Sequence, residues 1–391
     1  MQALLEVKKE FERTKPLKGH RVGMALHVTK ETAVLVRTLV AGGAKVAITG
    51  CNPLSTQDDV AAALASEGIA VYAHKGESRE EYYEFLHKVL DFKPTVTIDD
   101  GCDLVTEIHL KRKELLGTVV AGTEETTTGV IRLRAMEKDK ALKYPVIAVN
   151  DNKTKHLFDN YYGTGQSTLD GILRATNVLF AGKKLVVCGY GSCGKGVSSR
   201  ARGMGANVTV TEVDALAALQ AKMDGFEVKP IASALREADI VITVTGNKHV
   251  VQKEHFSLMK DGVILANSGH FDVEIDVAGL KSIAAKRVEV RPSLEEFTLK
   301  NGKKVFLCAE GRLVNLAAAE GHPSEVMSMS FCGQALAVKY ALEKRLPAGV
   351  HVLPPEVDEK IARLQLKALG VEIDSLTLAQ KNYLGSWVEG T

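Results

Sequence analysis

The segment KLVVCGYGSCGKG (184–196) limits what this chain can fold into more than any other. A near-continuous apolar run, suited to a strand buried on both faces, leads straight into a glycine turn and then a helical pattern. Gly189, Gly191 and Gly194 stand in the order G-x-G-x-x-G. The first permits a tight turn, the second lets a phosphate approach bare backbone, and the third lets helix and strand pack closely. The helix N-terminus then faces the anion. A second strand, NVTVT (207–211), ends at Glu212, 18 residues past Gly194. A carboxylate there accepts hydrogen bonds from adenosine ribose hydroxyls and repels a 2′-phosphate. The segment therefore predicts an NAD site, with Gly189, Gly191, Ser192, Cys193, Gly194, Lys195 and Gly196 around the pyrophosphate and Glu212 on the ribose.

The same alternation of apolar run, break and helix recurs along the chain. RVGMAL (21–26, followed by His27), KVAIT (45–49), AVYA (70–73), TVTI (95–98), TVVA (118–121) and VIAV (146–149) form one series. KLVVC, NVTVT, IVITV (240–244) and VILA (263–266) form a second. The expected fold is α/β, with two doubly wound, parallel-sheet, Rossmann-like domains and a short helical C-terminal segment. The boundary falls near 160–165, and PSEVMSMSFCGQALAVKYALEKR is expected to return the chain to the first domain. The expected division is a discontinuous substrate-binding domain (1–163 plus 324–371), an NAD-binding domain (164–323) and a C-terminal segment (372–391).

Net charge is +2 over 391 residues, with no block of five like charges, which argues against nucleic acid or an anionic membrane as partner. The six cysteines (51, 102, 188, 193, 308, 332) form no CxxC pair, so no metal site and no disulfide framework is expected. The first residues read as a charged amphipathic helix rather than a signal peptide, and the expected location is cytoplasmic.

Ligands of open parallel sheets sit beyond the strands' carboxyl ends. Those positions hold His27, Thr29 and Glu31; Asp99 and Asp100; Glu124, Glu125 and Thr126, Thr127, Thr128; Asn150 and Asp151; and Ser268, Gly269 and His270. Lys155 and Asp159 lie four apart on a helix just beyond. Singly, each has an ordinary explanation as a helix-dipole partner, turn cap or surface pair. Together they collect acid–base groups along one edge, beside a dinucleotide domain. His20, His74, His87 and His109 read instead as surface residues, and Met327 and Met329 as core.

At these residues the chain resembles the S-adenosylhomocysteine hydrolase family. The matching pieces are LHVTKETAVL, NPLSTQDDV, IDDGCDL, EETTTGV, VNDNKTKHLFDN, GTGQST, GYGSCGKG, NSGHFDVEID and AEGRLVNLAAAEGHP, in family order over nearly the whole chain. The resemblance implies reversible cleavage of S-adenosylhomocysteine to adenosine and homocysteine, with NAD as an internal catalyst, in a homotetramer. It implies that Lys155 and Asp159 hold the ribose 3′ and 2′ hydroxyls, with a lowered Lys155 pKa suiting the lysine to deprotonation. Asp100 would serve acid–base work near C4′ with Glu125 close to the ribose, while His27 and His270 manage protons around C5′ and the leaving sulfur. Thr126, Thr127, Thr128, Asn160, Asn315 and His322 resemble cofactor or closure contacts.

By the same resemblance Thr29 and Glu31 face the adenine edge, where a carboxylate accepts the 6-amino protons. Relatives associated with S-inosylhomocysteine resemble HLEAKT here, whereas this chain reads HVTKET, with Lys30 expected to face solvent. The chain ends at YLGSWVEGT, without the tail whose lysine and tyrosine reach a neighbouring subunit's cofactor in longer members. S-inosylhomocysteine hydrolysis, an ordinary dehydrogenase and a silent regulatory homologue are the alternatives.

Overall fold

The computed structural model describes residues 1–388, so the last three residues of the expected C-terminal segment lie outside it. The first series folds as β1 (Arg21–Ala25), β2 (Lys45–Thr49), β3 (Ala70–Tyr72), β4 (Val96–Asp99), β5 (Ala121–Glu124) and β6 (Pro145–Ala148). The second folds as β7 (Lys184–Cys188), β8 (Asn207–Thr211), β9 (Glu227–Val228), β10 (Ile240–Thr243), β11 (Val263–Asn267), β12 (Ala284–Arg291), β13 (Leu294–Leu299) and β14 (Lys304–Cys308). A last short strand is β15 (Gly349–His351).

The first sheet has the order β15-β6-β5-β4-β1-β2-β3, parallel throughout. The second has the order β12-β13-β14-β11-β10-β7-β8-β9. Six of its strands are parallel, but β12 and β13 add an antiparallel edge, so it is not the purely parallel sheet expected from the apolar runs. The more polar runs RVEVRP and KVFLCAE do form β12 and β14, but β13, LEEFTL, mixes apolar and polar residues and gives no apolar run, so the reversal of direction there was not legible. The order in which successive strands are added reverses between β1 and β4 in one sheet and between β7 and β10 in the other, the switch points where such sheets bind ligands.

One strand forms later than its apolar run. TVVA (118–121) only leads in, with Val120 N–H donating to Thr95 O, and the ladder begins at Ala121. The register then sets Asp99 opposite Glu124, both fully buried. Burial pushes Asp99 up to about 7 and Glu124 well above the ordinary carboxylate range. Glu124 Oε1 accepts the N–H groups of Gly101 and Thr126, tying together the two turns that follow β4 and β5.

The helix Ser324–Lys344 lies against the first sheet's layers. Its Phe331, Cys332 and Ala335 share an apolar cluster with Leu4 and Phe11 of the N-terminal helix and Leu35 of the helix Lys30–Ala41. Small and apolar residues on all its sides suit a helix enclosed by neighbours. From there the chain runs on to β15, which pairs with β6. No helix among the described residues is long and apolar enough to cross a membrane.

Candidate active site

A cavity of about 1260 Å³ opens where the carboxyl ends of the two sheets meet. On the second sheet, Gly189 (φ +106°) turns the chain out of β7 and Gly191 caps the helix Ser192–Gly203. No atom lies within 4 Å of where a Gly191 Cβ would stand, so an anion meets bare backbone. A Cβ at Gly194 would strike the Gly189 carbonyl, the close packing expected of the third glycine. The Glu212 carboxylate is fixed at the end of β8 by N–H groups of Tyr190, Val213 and Asp214. Asn315 Oδ1, on the opposite wall, is buried without a partner. These groups fit a bound dinucleotide.

Across the cavity, the helical turn Lys153–His156 leads through a π-helical turn, Asp159–Gly163, into the helix Thr164–Thr176. That geometry points Lys155 inward. Its Nζ lies 2.8 Å from Asp159 Oδ2, 2.7 Å from Asn160 Oδ1, 3.4 Å from Asn150 Oδ1 and 3.8 Å from Glu125 Oε1. Burial opposes the ammonium charge, but Asp159 and Glu125 outweigh it and carry the lysine above its ordinary pKa. A lowered Lys155 pKa is the effect expected of a nicotinamide beside it; the protein's own groups act the other way, because two carboxyls dominate the local field. Burial would likewise raise Asp159, but Lys155 and His322 hold it well below the usual carboxylate range. Burial pushes Glu125 up to about 7 despite Lys155. Glu125 accepts from Ser330 and Gln334, both on the helix Ser324–Lys344.

Asp100 lies between two imidazoles, with Oδ2 3.5 Å from His27 Nε2 and Oδ1 3.6 Å from His270 Nδ1. His270 reaches it from the loop after β11 of the other sheet. A Cβ at Gly101 (φ +106°) would strike that ring, so glycine there lets the two halves meet. Ser55 Oγ lies 2.7 Å from His27 Nδ1 and 3.0 Å from Asn52 O, and holds the ring with its Nε2 edge toward Asp100. Burial lowers His27 to about 4, against the pull of Asp100, so the ring is neutral at neutral pH.

Thr29 caps the helix Lys30–Ala41, its Oγ1 accepting from Thr32 N–H, and Glu31 lies in that helix's first turn. Both line the cavity, and Ser324 donates to Glu31 Oε1 at 2.8 Å. Lys30 is largely exposed, as expected, but also reaches Glu320 Oε2 at 2.7 Å.

The cavity thus gathers His27, Thr29, Glu31, Asp100, Glu125, Thr126, Thr127, Thr128, Lys155, Asp159, Asn160, Gly189, Gly191, Ser192, Cys193, Glu212, Ser268, Gly269, His270, Asn315 and His322. It does not gather Gly194, Lys195 or Gly196. The first packs on β7, Lys195 Nζ donates to Gln220 Oε1, and a Cβ at Gly196 would strike the Tyr161 carbonyl. Asn150, expected at a strand end, joins the cavity residues, and its Oδ1 accepts from Thr127, Asn160 and Lys155. Sequence reasoning passed over Ser324, Ser330 and Gln334, which no motif ties to the site. Met327 packs against the apolar cluster of the first domain and also lines the cavity, while Met329 is buried in that cluster. His109 is not a surface residue: its Nδ1–H donates to Val105 O and its Nε2 accepts Lys143 N–H. His87 pairs with Glu107 at 3.0 Å, His20 Nδ1 lies 3.2 Å from Thr95 Oγ1, and His74 is partly exposed near Glu81.

A dinucleotide cradle on one sheet facing a buried acid–base cluster on the other defines an enzyme that joins nicotinamide redox chemistry to proton transfer on a small polar substrate. Comparison with known proteins narrows the class. A family model described as S-adenosyl-L-homocysteine hydrolase matches residues 1–122, and one described as its NAD binding domain matches residues 160–321. An adenosylhomocysteinase of Sulfolobus acidocaldarius is 58% identical over 393 residues, covering 100% of this chain and 94% of the relative. One of Pyrococcus abyssi is 56% identical, with 100% and 93% covered. An S-inosyl-L-homocysteine hydrolase of Methanocaldococcus jannaschii is 58% identical, with 100% and 94% covered. Among solved structures, a dipicolinate synthase chain from Bacillus halodurans aligns at a TM-score of 0.53 and 15% identity, over 83% of this chain and 99% of that one, a likeness of fold alone. The chain belongs to the S-adenosyl-L-homocysteine hydrolase family, and its residues 160–321 match that family's NAD-binding domain.

Proposed function

We propose that the chain catalyses reversible hydrolysis of S-adenosyl-L-homocysteine to adenosine and L-homocysteine. The observation that carries this reading is the meeting of Lys155, Asp159, Glu125, Asp100, His27 and His270 in one cavity beside the dinucleotide cradle. Bound NAD supplies the hydride acceptor that makes the ribose 3′ carbon a ketone and later returns the hydride. A ketone at C3′ acidifies the C4′ proton, and its loss lets a thioether, otherwise a poor leaving group, depart.

Each residue's part follows from its surroundings. Lys155 and Asp159 hold the 3′ and 2′ hydroxyls, the lysine donating to the 3′ oxygen. Glu125 titrates near neutrality 3.8 Å from that nitrogen and takes up the proton released there. Asn150 and Asn160 orient the ammonium. Asp100 exchanges the C4′ proton. Neutral His27, its ring held by Ser55, and His270 serve the leaving sulfur and the incoming water. Thr126, Thr127, Thr128, Asn315 and His322 close around the cofactor. Thr29 and Glu31 read adenine, the carboxylate accepting from the 6-amino group that hypoxanthine lacks.

The functional division is residues 1–163 with 324–371 for substrate and 164–323 for NAD, supported by the pairing of β15 with β6 and by the family match at 160–321. A cytoplasmic homotetramer belongs to the same reading. Exposed Leu378, Leu384 and Trp387 on the C-terminal segment support burial against another copy of the chain. A second reading, S-inosyl-L-homocysteine as substrate, is favoured by the Methanocaldococcus jannaschii relative, as similar as the Sulfolobus acidocaldarius one.

The test is product analysis with S-adenosyl- and S-inosylhomocysteine, with NAD content measured on the purified protein. Adenosine and homocysteine should form without net NADH. Equal turnover of both substrates would sink the base-recognition argument, and accumulating NADH would make the protein a dehydrogenase.

A further inference from the structure

Asp100 is held by its main chain more than by its side chain. Its carboxyl oxygens lie 3.5 Å from His27, 3.6 Å from His270 and 3.7 Å from the Cys51 thiol, all loose contacts. The peptide groups around it are tied firmly. Asp99 Oδ1 accepts the Asp100 N–H at 3.0 Å, and Glu124 Oε1 accepts the Gly101 N–H at 2.8 Å. The Gly101 carbonyl accepts from Arg132 Nη1. Asp99 and Glu124 stand opposite each other on β4 and β5, so the N–H groups on either side of the Asp100 Cα end on one buried carboxyl pair. Glu124 Oε1 also accepts the Thr126 N–H, the amide just after Glu125, at 3.0 Å. We propose that Glu124 is a positioning residue for the reaction: it fixes the Asp100 turn against the Glu125–Thr128 turn and so aims the Asp100 carboxyl at C4′.

Three features support this role. The fold makes room for the Glu124 carboxyl, because a Cβ at Gly129, in the first turn of the helix Thr127–Lys138, would strike it. Second, one oxygen does the holding: Oε1 takes both N–H groups, while Oε2 is buried without a partner. With Asp99 opposite and Arg132 paired to Asp103, a neutral acid suits the spot, its carbonyl oxygen accepting and its hydroxyl on Oε2. Third, the two turns differ in what else anchors them. Ser330 and Gln334 donate to Glu125 from another helix, and Lys155 lies 3.8 Å away, so Glu125 keeps its place without Glu124. Asp100 has no comparable side-chain anchor, so loss of Glu124 falls on the step that Asp100 serves.

This role rests on the function proposed above, in which Asp100 exchanges the C4′ proton. Two partial reactions of the NAD-loaded protein with adenosine in D₂O separate the cases. Absorbance of bound NADH reports oxidation at C3′, and deuterium at C4′, read by NMR and counted per NADH formed, reports proton exchange. Glu124→Ala should keep NADH formation within about tenfold of wild type and lower exchange by about 100-fold, the cost of a misplacement of about 1 Å. Glu124→Gln, whose amide oxygen still accepts both N–H groups, should restore exchange to within about threefold of wild type.

Gly129→Ala keeps every acid–base group and drives its new Cβ into the Glu124 carboxyl. It is the second variant should Glu124→Ala fail to fold, and it should show the same split between the two steps. An equal fall in both steps overturns the assignment, as does undiminished exchange in Glu124→Ala. A Glu124→Gln variant as impaired as Glu124→Ala overturns it too, because the charge of Glu124 would then be what matters. Wild-type protein that forms neither bound NADH nor C4′ deuterium overturns the proposed function, and this role with it.

Discussion

Lys155 is enclosed by Asp159, Glu125, Asn150 and Asn160, and its charge offsets that of the carboxyls buried beside it. Lys155→Ala should slow reduction of bound NAD⁺ by at least about 100-fold, as loss of a positioned proton-transfer group does. Absorbance of bound NADH in a single turnover with adenosine measures it, and a normal rate would refute the assigned role. The same substitution leaves Asp159 with His322 alone as its charged partner and should destabilise the protein by up to about 3 kcal/mol, the low end for a broken buried pair. Glu31→Gln should narrow the preference for adenosine over inosine, read as a ratio of kcat/KM values. Away from the cluster, Glu77 is buried with both carboxylate oxygens unpartnered, and burial pushes it up to about 7. Because the folded protein holds this proton more tightly than the unfolded chain, stability falls as pH rises between about 4.5 and 7. Glu77→Gln should therefore raise Tm at pH 8 but not at pH 4.5, by about 2–4 °C for a gain of about 1 kcal/mol.

At the scale of elements, the glycine turn does two jobs that different residues divide. Gly191 leaves backbone open to an anion, whereas Gly194 lets the helix Ser192–Gly203 close on β7. Gly194→Ala should lower the NAD content of purified protein several-fold, since its Cβ meets a backbone carbonyl that cannot yield. Protein retaining one NAD per chain would contradict this. The strand ends were readable because parallel strands are apolar runs and the residues after them are where ligands bind. The place of β5 was not, because its lead-in TVV is as apolar as a strand and only the ladder to β4 sets where pairing starts. Nor was the partnership of Ser330 and Gln334 with Glu125, which joins residues more than 200 positions apart.

Across the whole molecule, the cavity is built from two sheets, and charged contacts span its mouth. Lys30 meets Glu320, and Lys75 Nζ donates to Ala317 O. Both partners of the Lys30–Glu320 pair are more than half exposed, so its coupling energy in a double-mutant cycle should stay at or below about 1 kcal/mol and fade with salt. Lys30→Ala should raise KM by no more than about fivefold, with kcat nearly unchanged. A larger effect on kcat would mean that closure limits turnover. The sequence by itself determined the two α/β series, the dinucleotide turn, the carboxylate after β8 and the set of polar residues at strand ends. Those depend on apolar periodicity and on glycine's stereochemistry, which are local. Only the tertiary structure decided how these groups act on one another. It brought His270 to Asp100 across the two halves, surrounded Lys155 with enough negative charge to keep it protonated, and set Cys51 beside His27 and Asp100. Electrostatic fields and burial depend on distances in space, which a linear pattern does not contain.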